Sequence, residues 1–132
     1  MSVDVIDLSS LFYVDTILYI AIGTFAGIVI GALPGLTATM AVSLMVSLTY
    51  GMEARNALAI LIALYLGGIY GGSRSAILLN VPGTPSSAAT ALEGFPLTQR
   101  GEGSKAGIVA TTFSVLGALI GLVFLAGATH II

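Results

Sequence analysis

Long uncharged apolar runs, separated by short breaks, define the hydrophobic pattern of the chain. Runs free of Asp, Glu, Lys and Arg cover residues 16–33, 36–50, 57–68 and 106–132. The first run would rise about 27 Å as an α-helix, close to the thickness of the hydrocarbon core of a bilayer. The pattern therefore predicts an all-α membrane protein with about four hydrophobic helices. Pro-Gly pairs interrupt it, so that half-helices or re-entrant segments are expected.

Composition supports a membrane environment and excludes several classes of function. Of the 132 residues, 57% are hydrophobic and only 8% are charged, whereas soluble domains have about 25% charged residues. The net charge of −2 comes without a basic patch, so no nucleic-acid partner is expected. With no cysteine and one histidine, neither a metal site nor a nucleophile–base pair can be assembled. We therefore do not expect an enzyme.

The first Pro-Gly pair, Pro34-Gly35, ends the run that begins at residue 16. After it, residues 36–50 would rise only about 22 Å as a helix, which is short for a full crossing. A half-helix that begins here would leave unpaired N–H groups at its N-terminus, and these groups favour an anion. The alternative is a Pro-kinked helix whose Thr and Ser hydroxyls bond back to its own carbonyls. The sequence leaves both interpretations open.

The second break lies in the stretch at residues 70–85, around which the rest of the chain is arranged. Gly71 and Gly72 are expected to loosen the preceding helix, and Pro82 prevents a regular helix further on. Residues 75–92 contain no charge, yet half of them are small polar residues or helix breakers. Irregular backbone at membrane depth survives only inside protein or beside a water-filled cavity. We therefore predict that the stretch lines a solute or ion site, because paired interruptions mark such sites in transporters.

Arg74 borders the charge-free stretch and has two interpretations. Its guanidinium could bind a carboxylate solute through two parallel hydrogen bonds. Alternatively, the side chain extends from a helix end to the lipid headgroups. We favour the second interpretation.

Two further patterns concern packing and orientation. Gly23, Gly27 and Gly31 recur every fourth residue, which places them on one helix face where a neighbouring backbone can approach closely. Residues 93–105 are the most polar part of the chain and predict a water-exposed loop. Arg100 and Lys105 favour the cytoplasmic side for this loop.

Three ordered motifs resemble a known family. They are GALPGLTAT at residues 31–39, YGGSRSAILLNVPG at residues 70–83, and TALEGFP at residues 90–96, with Gly101 beyond. Together they are similar to the N-terminal part of the large membrane subunit of the tripartite tricarboxylate transporter family. The family more often has Asp and Tyr where this chain has Glu93 and Phe95, and both differences keep the chemical type. The resemblance covers the chain from about Thr16 onward.

The resemblance implies a multi-pass permease of the bacterial inner membrane. Its partners would be a small membrane subunit and a periplasmic solute-binding protein. It would perform secondary uptake of tricarboxylates or related carboxylates, driven by a gradient of sodium or protons, without a further cofactor. Family members are longer, so residues 1–132 are expected to form a single transmembrane region at the N-terminus of a larger permease.

The residues and the resemblance together give a hypothesis for the site. Backbone N–H groups after the two Pro-Gly pairs would face a carboxylate, nearby hydroxyls would orient it, and carbonyls near Gly71 and Asn80 would hold a sodium ion. The predicted binding residues are Pro34, Gly35, Thr37, Thr39, Gly71, Gly72, Ser73, Ser75, Asn80, Pro82, Gly83 and Thr84. The alternative is an assembly or scaffold subunit of the membrane without transport activity, which the glycine spacing suits equally well.

Overall fold

Five α-helices account for most of residues 13–131, the part of the chain that the computed structural model describes. They are α1 (Val14–Ala32), α2 (Ala38–Leu48), α3 (Ala54–Leu79), α4 (Ser87–Gln99) and α5 (Gly103–Ile131). Three helical stretches within α1, α3 and α5 are long and apolar enough to cross a membrane: Val14–Ala32, Ala54–Leu79 and Gly103–Thr129. The predicted all-α membrane fold is confirmed. Residues 1–12 and 132 of the predicted transmembrane region lie outside the described residues.

Helix α1 packs on α3 through the glycines that the sequence pattern places on one face. A methyl group built on Gly23 would lie only 2.6 Å from the carbonyl oxygen of Ile60. The contacts in order are Gly23 with Ile60, Gly27 with Leu64, and Gly31 with Gly68. Residue numbers rise together on both sides, so α1 and α3 run parallel. The predicted close approach along this glycine face is confirmed.

Helix α3 is continuous, and the prediction that Gly71 and Gly72 loosen it is wrong. Both glycines are buried, Gly71 against α1 and Gly72 against Gly83. A glycine in a helix interior costs about 1 kcal/mol relative to alanine. Here it allows neighbouring backbones to approach where no side chain would fit, and this packing stabilises the helix. Irregular backbone therefore begins at Asn80 and not at residue 70.

The loop predicted for residues 93–105 is largely helical, which corrects that expectation. Residues 93–99 belong to α4 and residues 103–105 to α5, so that only residues 100–102 connect the two helices. Tertiary contacts with Ile77 of α3 explain the helix despite the internal Pro96. Gly94 packs against Ile77, and the Thr98 hydroxyl donates to the Ile77 carbonyl at 2.8 Å.

Helix α5 runs antiparallel to α3. Its first residue, Gly103, lies next to Thr98 of α4, which contacts Ile77 of α3. Further along α5, Gly107 lies against Arg74, which precedes Ile77 in α3. Residue numbers thus fall along α3 as they rise along α5. From Thr112 to Thr129 every residue of α5 is exposed among the described residues, which leaves a long apolar surface for lipid or further protein.

Candidate functional site

The first Pro-Gly pair forms a tight turn between α1 and α2. The Leu36 N–H donates to the Leu33 carbonyl at 3.2 Å. Pro34 occupies the second position of this turn, and Gly35 has a φ of 89° at the third. Proline followed by a residue with positive φ is the signature of a type II turn. The turn makes α2 a separate helix, so the half-helix interpretation is correct and the kinked-helix alternative is excluded.

Thr37 caps the N-terminus of α2. Its side-chain oxygen accepts a hydrogen bond from the Met40 N–H at 3.2 Å, and its carbonyl accepts from Ala41 at 3.1 Å. The N–H groups of Ala38 and Thr39 precede the first intrahelical bond and have no partner within the helix. Because Thr37 only accepts in this cap, its hydroxyl hydrogen remains able to donate. The exposed Thr39 lies one turn before Ser43, whose hydroxyl donates to the Thr39 carbonyl at 2.9 Å.

The second break starts where Asn80 ends α3 in a left-handed conformation, with φ 57° and ψ 28°. Asparagine tolerates this conformation better than most residues. Ser75 then connects α3 with the second break. Its buried hydroxyl donates towards the carbonyl of Gly72 in α3 and that of Val81 in the break, at 3.0 Å each. The bond to Val81 holds the break beside α3.

Gly83 is the buried residue among residues 80–86 of the second break. A methyl group at this position would lie 2.7 Å from the Gly72 Cα and 2.8 Å from the Gly31 carbonyl oxygen. Both are backbone atoms that cannot move independently of their helices. The position therefore requires glycine, and α1, α3 and the second break meet there.

Thr84 belongs to a small hydroxyl cluster at the start of α4. The Thr84 N–H donates to the Ser87 hydroxyl oxygen at 3.1 Å, and that hydroxyl donates to the Thr84 carbonyl at 2.8 Å. The Thr84 hydroxyl also lies 3.0 Å from that of Ser86. These bonds close the turn that leads into α4, whose N-cap residue Ser86 makes no side-chain capping bond.

Both breaks meet α3 on adjacent turns of its surface. Ala38, the first residue of α2, packs on Gly68, while Gly83 packs on Gly72. Four residues separate Gly68 from Gly72, which is about 6 Å along a helix. The structure thus places the start of α2 and Gly83, four residues before the start of α4, near one side of α3.

Three predicted residues have other surroundings. Gly71 faces α1 inside a continuous helix, so no break frees its carbonyl as the predicted cation contact requires. Ser73 faces α5 and donates its hydroxyl hydrogen to the Ile69 carbonyl at 3.0 Å. Ser73 and Ser75 both use their single hydrogen on backbone, and they can therefore only accept from a ligand in this state. The remaining exposed members of the set, Pro34, Gly35, Thr39, Asn80 and Pro82, lie on the two breaks or at the start of α2.

A second polar group, which the site prediction omits, lies between α3 and α5. The Arg74 guanidinium stacks over the Tyr70 ring, 4.5 Å from its centroid. Its Nη2 donates to the Tyr70 hydroxyl at 2.6 Å and to the Thr111 hydroxyl oxygen. Tyr70 precedes Arg74 by one turn, so the side chain points back along α3, away from the nearer helix end. These contacts hold the side chain between α3 and α5, which argues against the favoured headgroup interpretation of Arg74.

This group borders a cleft of about 260 Å³ between α3 and α5. Only the four-residue spacing of Tyr70 and Arg74 is visible in the sequence. Thr111 lies 37 residues from Arg74, and no local pattern predicts that contact.

Three long apolar helices, with a glycine-packed α1–α3 pair and two backbone breaks on one side of α3, define a membrane protein. Residues 17–132 match the Tripartite tricarboxylate transporter TctA family, and the chain belongs to this family. The resemblance recognised in the sequence is thus confirmed. Membership in this transporter family supports a role in membrane transport.

A protein from Agrobacterium vitis is 32% identical over 110 residues, and its description reads uncharacterized 52.8 kDa protein in TAR-I ttuC' 3'region. The alignment covers 83% of this chain and 22% of that protein, so the chain spans about a fifth of the relative's length. No solved structure matches the chain.

Proposed function

We propose that the chain forms part of a permease subunit for secondary, cation-coupled uptake of tricarboxylates or related carboxylates. In this proposal it works in the bacterial inner membrane with a small membrane subunit and a periplasmic solute-binding protein. Family membership supports the transport role. The assignment of a binding site rests on one observation, the meeting of both Pro-Gly breaks on adjacent turns of α3.

The proposed solute site lies at the N-terminal ends of α2 and α4. Pro34-Gly35 and Pro82-Gly83 set the two turns, while Gly72 lets the second turn approach α3. The free N–H groups at the start of α2 and the hydroxyl hydrogen of Thr37 would donate to a carboxylate, since helix N-termini attract anions. Thr39 and Thr84 would complete its surroundings.

The proposed coupling ion is sodium or a proton, and it would lie near the end of α3. Residues 80–82 follow the last turn of α3, where carbonyl groups lack intrahelical partners. Carbonyl oxygens at such helix ends coordinate sodium in other transporters. Ser75 holds this segment and, as an acceptor, suits a cation better than an anion.

Uptake by reconstituted protein tests the proposal. The full-length protein and both partners would be placed in proteoliposomes, and labelled citrate uptake would be measured with an imposed sodium or proton gradient. We expect uptake that depends on one of these gradients and is lost in Gly83→Leu, where no side chain fits. The matched control is Gly117→Leu, because a side chain at Gly117 meets nothing within 4 Å.

Two results would contradict the proposal. Full uptake by Gly83→Leu would exclude the assigned site. Absence of gradient-driven uptake, with the complex still assembling and with assembly lost in Gly27→Leu, would favour the scaffold alternative.

A further inference from the structure

We propose that the cleft between α3 and α5 contains a second anion-binding site, in which Arg74 and Tyr70 bind a carboxylate of the transported solute. This inference rests on the proposed function for the identity of the solute. The site is distinct from the Pro-Gly breaks. At about 100° per residue, Tyr70 and Arg74 lie two residues after Gly68 and Gly72 respectively, on nearly the opposite side of α3.

Charge gives the first argument. Arg74 lies inside a helix that is long and apolar enough to cross the membrane, and arginine remains protonated in proteins. Within residues 13–131 the ion pairs are Arg55 with Glu53 and Lys105 with Glu102, and neither includes Arg74. Ionisable residues in membrane helices are costly and mark solute pathways. A carboxylate in the cleft would supply the opposite charge.

The hydrogen-bond inventory gives the second argument. A guanidinium has five N–H donors, and the described contacts of Arg74 use Nη2 for Tyr70 and Thr111. Nε has no acceptor among the described contacts and remains for a ligand, while Nη1 packs against Gly107. Tyr70 accepts from Arg74, so its own hydroxyl hydrogen can donate either to Thr111, which lies within reach, or to a ligand. Thr111 cannot donate to a ligand, because it donates to the Gly107 carbonyl at 2.9 Å.

Preorganisation gives the third argument. The Tyr70 ring lies against the guanidinium, and Thr111 fixes it from the opposite helix. A guanidinium held in this way loses little further rotamer freedom when it binds a ligand. The adjoining cleft of about 260 Å³ offers room beside these donors, and its other walls are largely aliphatic.

The test measures citrate binding to the full-length protein in phosphatidylcholine nanodiscs by calorimetry. We expect Arg74→Gln to raise the Kd about tenfold or more, because charge-assisted hydrogen bonds are lost. The citrate Kd of Arg74→Lys should lie between those of wild type and Arg74→Gln. Tyr70→Phe, which keeps the aromatic ring but lacks the hydroxyl, should raise the Kd about threefold. Arg55→Gln is the matched control, since Arg55 also stacks on a tyrosine, 5.1 Å from the Tyr13 centroid, but has Glu53 as its partner. The trimethyl ester of citrate should bind wild type and Arg74→Gln equally weakly.

Several outcomes separate this inference from its alternatives. Wild-type citrate affinity in both Arg74→Gln and Tyr70→Phe would overturn it, even if the complex transports citrate normally. If Arg74→Gln does not fold, the citrate Kd values of Arg74→Lys and Tyr70→Phe test the inference in its place. Loss of citrate binding in the Arg74 variants would support it even where the reconstituted complex shows no gradient-driven uptake. If Arg74 instead changes only the stabilisation by added phosphatidylglycerol and leaves citrate binding unaltered, the anion is a lipid headgroup and the inference is wrong.

Discussion

Thr16 on α1 donates its hydroxyl hydrogen to Oδ1 of Asn56 on α3 across 3.0 Å, and Thr16 is completely buried. This bond joins the first turns of two parallel helices whose remaining contact is largely glycine on backbone. We expect Thr16→Val to lower the melting temperature in detergent, because the Asn56 acceptor would lose its partner at a cost of about 1–3 kcal/mol. Thr16→Ser should retain most of the stability. Equal melting temperatures for wild type and Thr16→Val would show that the bond contributes nothing.

The close approach of Gly27 to Leu64 and Gly68 predicts a strict size limit on α1. Any side chain at Gly27 would meet the backbone of α3, so Gly27→Leu should separate the two helices. The measurement is the yield of monodisperse protein after detergent extraction. Gly121→Leu is the control on α5, where a side chain meets nothing within 4 Å. Equal yields for the two variants would contradict the packing of α1 on α3.

Asn80 permits a test that separates backbone conformation from ligand binding. Alanine at this left-handed position should cost about 1 kcal/mol, whereas glycine adopts it freely. If the position serves only to end α3, Asn80→Gly should keep uptake and Asn80→Ala should lower stability. If the Asn80 side chain binds the coupling ion, both variants should raise the cation concentration needed for half-maximal uptake. We expect the first result, because backbone carbonyls are the proposed ion ligands and glycine retains them; a raised cation requirement in Asn80→Gly would show instead that the side chain is a ligand.

Ser75 predicts how firmly the second break is held. Ser75→Ala removes the donor to Val81 and should cost on the order of 1 kcal/mol. Residues 81–86 should then exchange amide hydrogens faster, while α1 stays unchanged. Ser73→Ala is the control, because Ser73 donates only within its own helix, to Ile69. Equal exchange in the two variants would show that Ser75 does not anchor the segment.

The sequence predicts those features that depend on local chemistry. The uncharged runs give the long helices, and Pro34 with Gly35 gives the turn, because φ preferences act whatever the surroundings. The glycine spacing on α1 also predicts its packing face correctly. These features can be predicted without knowing which segment of the chain packs against them.

Other features depend on contacts between residues far apart in the sequence, and the sequence misjudges them. Gly71 and Gly72 are helix breakers in isolation but are stabilised by α1 and Gly83. Residues 93–99 are polar and include Pro96, yet contacts with Ile77 make them helical. The pairing of Arg74 with Thr111 shows the same limit, since nothing near either residue indicates the other.

The shared direction of α1 and α3 fixes the sidedness of the connections. If both helices cross the bilayer, the first turn of α1 and the turn at Gly51 lie at the same surface. Residues 100–102, between α4 and α5, then belong to the opposite surface. Helix α2, about 16 Å long, must lead the chain from the end of α1 back towards the surface at which α1 begins. An impermeant thiol reagent applied from one side should therefore label a cysteine at position 51 or one at position 101, but never both.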